Sequence, residues 1–195
     1  MHSQNSDNSN RNTLLAVGNI GNRQLHVILD SLLLLKNTGL RITLHYIGKI
    51  NEPVTDILKT SETYKQLDGQ LFFADHQSFT VSQQFSSYFA ILFLNDENND
   101  SGKSYILYLN SLMASGLPLI CADNTVNKDI IEKNKSGICI DTYNAEEMAD
   151  AISYLNRAIY QAGKMGEAGR NAVTIQHATP GDESKIFQMQ KGAIS

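Results

Sequence analysis

The stretch YILYLNSLMASGLPLICADNTVNKDIIEKNKSGICI, residues 105–140, decides the fold. Ile106, Leu109, Leu112 and Met113 recur at helical spacing and give one apolar face. Gly116 stands where a left-handed residue commonly closes a helix. Pro118 fits the first position of a strand, where its missing N–H is tolerated. Leu119, Ile120, Cys121 and Ala122 then form a short apolar run of the kind buried on both faces of a parallel sheet. Asp123 ends that run at the carboxyl edge, where open α/β sheets collect ligands. DIIE at 129–132 predicts a short helix, and GICI at 137–140 a further strand.

The same alternation extends upstream. Residues 1–12 hold four Asn and three Ser and read as a disordered tail or linker. Thr13–Val17 (TLLAV) predicts a buried strand ending at Gly18. A helix is expected over about 23–36, with Leu25, Ile28, Leu29, Leu32 and Leu35 on one side. RITLHYI at 41–47 is a second strand by its β-branched and aromatic content. Pro53 suits a first helical turn, and the helix is expected to continue to about Tyr64. Leu71–Phe73 is a third strand, Ser78–Ser87 a weakly patterned helix, and AILFL at 90–94 a fourth strand. An acidic, Asn-rich loop follows at 95–102 (NDENNDSG).

Beyond residue 140, Asn144 is a suitable N-cap with Glu147 three residues on. Met148, Ile152, Leu155 and Ile159 stripe the next helix, and a last helix is expected over about 161–174. Strands that alternate with helices require parallel βαβ units with right-handed crossovers. The expected architecture is therefore one α/β domain over 13–176, a doubly wound, mostly parallel six-stranded sheet of Rossmann-like kind. A frayed tail is expected at 177–195.

Composition narrows the function classes. At 195 residues the chain suffices for one domain with a substantial core. A net charge of −4 and the lack of any basic run argue against nucleic acid and anionic membranes. No stretch approaches the roughly 18 apolar residues of a transmembrane segment. The polar N-terminus offers no secretory signal, so a cytoplasmic location is expected. Cys121 and Cys139 fall in two predicted buried strands and read as small core hydrophobes in a reducing compartment. No zinc-like ligand spacing is present, and neither metal nor cofactor is expected.

Two phosphate-binding motifs fail on spacing. In VGNIGNR, Gly18 and Gly21 are three apart and Ile20 fills the slot a dinucleotide fingerprint leaves open. SGKS at 101–104 ends like a P-loop, but Glu97 stands where the first glycine is required.

MASGLP at 113–118 and KMGEAGR at 164–170 carry a resemblance to the C-terminal half of retaining GT-B glycosyltransferases (glycosyl transferases group 1). It spans roughly residues 13–175. The resemblance implies a domain that binds a nucleotide diphosphate sugar as substrate, within an enzyme that transfers a hexose, as in polysaccharide biosynthesis. In that family the first loop reads G-R-L, with a Lys a few residues later, and Arg and Lys grip the donor diphosphate. Here Gly18 is kept, Asn19 takes the Arg position and, with a one-residue gap, Arg23 takes the Lys position.

The family's E-x7-E pair holds the donor ribose and contacts the transferred sugar. Alignment on MASG places Ser111 at the second Glu and Lys103 at the first, so both carboxylates are absent. A serine accepts one bond where a carboxylate grips a diol, which weakens the hold by roughly 1–3 kcal/mol. Lys103 with the amides of Ser104, Tyr105 and Ile106 would still open a helix whose N-terminus attracts an anion. The alternative reading of Lys103 and Ser104 is a solvated lysine and an ordinary cap. A different gap would put Asp96, Glu97 or Asp100 at the first Glu, and otherwise these carboxylates read as a solvated loop. His76, after the third strand, falls where the family often borders the base, and is otherwise a loop histidine.

A GT-B enzyme needs a second, N-terminal Rossmann-like domain for acceptor binding. The resemblance thus implies a missing N-terminal GT-B domain as partner, no catalytic residue in this chain, and no transfer by it alone. Two other readings stay open: a degenerate, non-catalytic module acting as partner or scaffold, and an unrelated Rossmann-like binding protein.

Overall fold

The computed structural model describes residues 12–48, 52–74, 85–94 and 103–177. Within them the chain runs β1 (Thr13–Gly18), α1 (Asn22–Asn37), β2 (Thr43–Ile47), α2 (Glu52–Thr60), α3 (Glu62–Gln66), β3 (Leu71–Ala74) and β4 (Ala90–Leu94). It continues with α4 (Lys103–Ala114), β5 (Leu119–Ala122), α5 (Thr125–Asn127), β6 (Gly137–Ile140), α6 (Ala145–Arg157) and α7 (Ile159–His177). The six strands form one sheet in the order β3-β2-β1-β4-β5-β6. Every pairing is parallel, so the sheet is wholly rather than mostly parallel.

Strand alternation sorts the core into two layers. Leu14, Ala16, Leu92, Leu94, Ile120 and Ile140 face the layer holding α1 and α6. Leu15, Val17, Ile91, Phe93, Leu119 and Cys121 face the layer holding α4 and α7. The first layer is anchored by Leu25, Ile28, Leu29 and Leu32 of α1, each at most 1% exposed. Full burial of such a side chain contributes about 1.5–3 kcal/mol. A helix with this stripe has nowhere stable to sit except against the sheet.

Several local expectations change. The helix expected to run unbroken to Tyr64 divides at Ser61, whose hydroxyl accepts from the Tyr64 N–H and starts α3 anew. This is the usual competition between a Ser side chain and the helical backbone. Ile159 does not extend the α6 stripe. It opens α7 and is 58% exposed, because α6 stops at Arg157. The helix expected at 129–132 is a π-helical turn, Lys128–Glu132. Of the helix expected over 78–87, only the 3₁₀ turn Phe85–Ser87 falls among the described residues. The tails at 1–11 and 178–195 and the loop at 95–102 lie outside them.

Other caps hold as read. Asn144 Oδ1 accepts from the N–H groups of Glu146 and Glu147 at 3.1 and 3.2 Å. Gly116 adopts φ +77 after α4, the left-handed closure a non-glycine residue would resist.

Candidate functional site at the carboxyl edge of the sheet

Strand order reverses between β1 and β4, and the crevice at such a switch point is where open α/β sheets bind ligands. The backbone there is tightly drawn. Gly18 takes φ +115, and a Cβ on it would stand 1.6 Å from the Leu94 carbonyl oxygen. The Asn19 N–H donates to that same oxygen at 3.1 Å. The Tyr46 hydroxyl donates to the Gly18 carbonyl at 2.7 Å. A Cβ on Gly48 would reach that carbonyl at 2.4 Å. The ends of β1, β2 and β4 thus meet within one hydrogen-bonded knot. Burial pushes the Tyr46 hydroxyl up to about 12, and the backbone near Ile20 opposes part of that shift. Tyr46 therefore stays a proton donor to Gly18 at any ordinary pH.

The first loop leads into α1. Its entry residue Gly21 donates its N–H to Gln24 Oε1 at 3.4 Å. Gln24 is 2% exposed, and its Nε2 has no hydrogen-bond partner among the described residues. Arg23, one residue earlier, is exposed and lays its guanidinium over the Tyr143 ring, 4.5 Å from the centroid. That contact ties the first turn of α1 to the loop after β6, on the α1–α6 side of the sheet.

The second helix start at this edge, that of α4, belongs to the opposite layer. Ser104 and Ile106 are exposed, whereas Tyr105 is buried against Phe93. The Tyr105 hydroxyl donates to Asn127 Oδ1 at 2.5 Å. Asn127 Nδ2 donates to the Ala122 carbonyl at 2.8 Å, and its N–H to Asn124 Oδ1 at 2.8 Å. This network fastens the start of α4 to the end of β5. Nearby, Asp123 pairs with Lys128 at 2.5 Å, a bond that raises the Lys128 ammonium above its usual range.

The residues singled out from sequence are thus distributed unevenly. Gly18 and Asn19 lie at the switch point. Lys103, Ser104, Tyr105 and Ile106 open α4, but Tyr105 is engaged inside the protein. Arg23 lies over Tyr143 on the other layer. Ser111 sits two turns into α4, and its hydroxyl donates to the Tyr108 carbonyl at 2.6 Å. His76 lies outside the described residues. Sequence reasoning missed Gln24, Tyr46, Asn127 and Tyr143. Gln24 carried one readable signal, a polar residue at a position of α1 that the leucine stripe turns inward. Among the described residues, no three His, Cys, Asp or Glu side chains group as a metal site. No described helix is long and apolar enough to cross a membrane.

KMGEAGR proves to be a packing element. Arg170 Nη2 donates to the Ser115 carbonyl at the end of α4, at 2.7 Å. Gly166 and Gly169 let α7 approach Gly116 and Ser136.

Solved structures share this fold. The C-terminal domain of a group 1 glycosyl transferase, LpcC of Francisella tularensis, superposes with a TM-score of 0.61 at 18% identity, covering 86% of each chain. HepE of Anabaena, crystallised with UDP and glucose, gives 0.67 at 12% identity over 94% of this chain and 47% of its own. TarM of S. aureus, crystallised with UDP among other ligands, gives 0.62 at 15% identity over 100% of this chain and 37% of its own. The chain therefore spans less than half the length of these two proteins, and identities this low speak for the fold alone. A search of curated proteins finds no match. The sequence itself matches glycosyl transferases group 1 over residues 1–172, and the chain belongs to that family.

Proposed function

We propose that this chain is the nucleotide-sugar donor domain of a glycosyltransferase that transfers a hexose from a nucleotide diphosphate sugar and needs a second, N-terminal domain for transfer. The observation that carries the reading is the placement of Gly18 and Asn19 against Leu94, at the crevice where the strand order reverses. Gln24, whose buried Nε2 has no partner among the described residues, lies beside that loop. Lys103 and the first amides of α4 supply a positive helix end for phosphate oxygens.

Arg23 remains available to this site. An exposed cation–π stack contributes about 0.5–1 kcal/mol. A hydrogen bond to a charged group contributes about 1.5–3 kcal/mol. A diphosphate within reach would therefore draw Arg23 off Tyr143. Ser111 leaves the ribose hold weak, so affinity rests mainly on the phosphates.

Calorimetry of the full 195-residue chain with UDP, GDP and their sugars tests the reading. Micromolar binding that Lys103→Glu abolishes and Arg23→Ala weakens is the expected result. A second reading, a non-catalytic module serving as a partner or scaffold, draws on the Ser111 hydroxyl being turned to its own helix and on Arg23 being stacked away. Absence of heat with every nucleotide favours it. Robust sugar transfer by this chain alone would overturn the need for a second domain.

A further inference from the structure

The two cysteines, distant in sequence, are register partners on adjacent parallel strands, β5 and β6. Their sulfurs lie 3.7 Å apart as free thiols. Cys121 is fully buried and Cys139 half-buried. The two differ in access because β6 is the last strand of the sheet, with no further strand beside it among the described residues. From the structure we infer that Cys121 and Cys139 form a dithiol modification site, which a hydroperoxide oxidises reversibly to an intrachain disulfide.

The geometry favours closure. Adjacent strands lie about 4.8 Å apart in the hydrogen-bonding direction. That spacing falls inside the roughly 4.4–6.8 Å Cα window of disulfides. The sulfurs need to close by under 2 Å to reach a bond of about 2.05 Å. Both side chains lie in the same layer, toward α4. The pairing is thus built into the register, and a slip of one residue would send one thiol to the opposite layer.

The chemistry divides the two roles by exposure. The Cys139 sulfur attacks the outer oxygen of the hydroperoxide. The O–O bond breaks, the thiol proton passes to the departing alkoxide, and an alcohol leaves with Cys139 as sulfenic acid. The Cys121 sulfur then attacks the Cys139 sulfur. The S–O bond breaks, and the departing hydroxide takes the Cys121 proton and leaves as water. The dithiol loses two electrons and the hydroperoxide gains them, with two protons transferred. A dithiol reductant reverses the sum by exchange.

The site lies directly below the carboxyl edge. Ala122, next to Cys121, accepts from Asn127, and the Asp123 N–H donates to the Ile140 carbonyl at 2.7 Å. The inference stands apart from donor binding, since it concerns only the two thiols.

The folded full chain is treated with a small excess of hydrogen peroxide, unfolded in the presence of an alkylating agent, and weighed intact. The expected result is loss of both alkylatable thiols together, a mass decrease of two hydrogens, and full recovery with dithiothreitol. In Cys121→Ser, Cys139 should instead gain one or two oxygens. In Cys139→Ser, Cys121 should stay reduced under the same treatment. Wild-type chain that gains oxygen at Cys139 while Cys121 stays alkylatable would overturn the inference. So would disulfide-linked dimers, or thiols that remain unreacted in the folded chain.

Discussion

Gly166 of α7 rests against Gly116 at the end of α4 so closely that a Cβ on Gly166 would lie 1.9 Å from the Gly116 carbonyl oxygen. Two glycines far apart in sequence therefore fix where the last helix crosses the domain. Arg170, one turn on, completes the contact by donating to the Ser115 carbonyl.

Gly166→Ala should destabilise the chain. Helix propensity favours Ala by about 1 kcal/mol, but overpacking costs about 1–3 kcal/mol or more, and the atom in the way is backbone. Gly163 provides the control in the same helix, since a Cβ there meets nothing within 4 Å. Gly163→Ala should stabilise by about 0.5–1 kcal/mol. Urea unfolding followed by circular dichroism reads both, and equal effects would refute the packing account.

Gly18→Ala combines two faults, a left-handed φ of +115 and a Cβ 1.6 Å from the Leu94 oxygen. Gly39 has φ +85 and open space around it. Gly39→Ala should cost about 1–2 kcal/mol, the strain alone. Gly18→Ala should cost at least about 3 kcal/mol, because the β1–β4 knot must open as well. Thermal unfolding of the two variants, compared with the unchanged chain, separates strain from clash.

Tyr46 makes stability depend on pH at the alkaline end. Its folded value of about 12 lies above the usual 10, so folding favours the neutral phenol. The contribution is complete below pH 10 and is lost as pH rises from 10 through 12, because the unfolded chain ionises first. A rise of that size corresponds to about 2–3 kcal/mol. Urea titrations across that range should show the loss in the unchanged chain, and a smaller one in Tyr46→Phe. Identical pH profiles would exclude Tyr46 as the source.

On the proposed function, in which Ser111 stands where the family's carboxylate holds the donor ribose, Ser111→Glu should restore the missing acceptor. The expected gain is about 1–3 kcal/mol, or roughly 5- to 150-fold in Kd at 1.4 kcal/mol per decade. Calorimetry with UDP measures it, and deoxyribose in place of ribose should erase the gain. A Kd for UDP unchanged by the substitution would sever the link between Ser111 and the sugar.

Sequence alone was enough for the strands. AILFL and LICA are apolar throughout because both faces of a parallel strand are covered, and their shortness and flanking turn residues set them apart from a buried helix. The α1 leucine stripe and the Asn144 cap were equally plain, since each depends on residues within a few positions of one another. Ser61 was a polar residue inside an otherwise helical segment, and only the backbone bond it makes reveals it as a cap.

The candidate site was less legible because its parts meet through space. Nothing near Arg23 in the sequence announces Tyr143, and nothing near Tyr105 announces Asn127. Tyr46 read as a strand aromatic, and its bond to Gly18 depends on β1 and β2 lying side by side in register. Cys121 and Cys139 likewise read as separate core residues until the β5–β6 pairing set their sulfurs in contact.

What the sequence by itself determined is the alternation of elements, and with it a parallel doubly wound sheet, because burial periodicity and caps act over a few residues. What only the tertiary structure decided is which side chains share the carboxyl edge and which are engaged elsewhere. Those outcomes turn on strand order, register and helix layer, which are settled by packing between segments far apart in the chain.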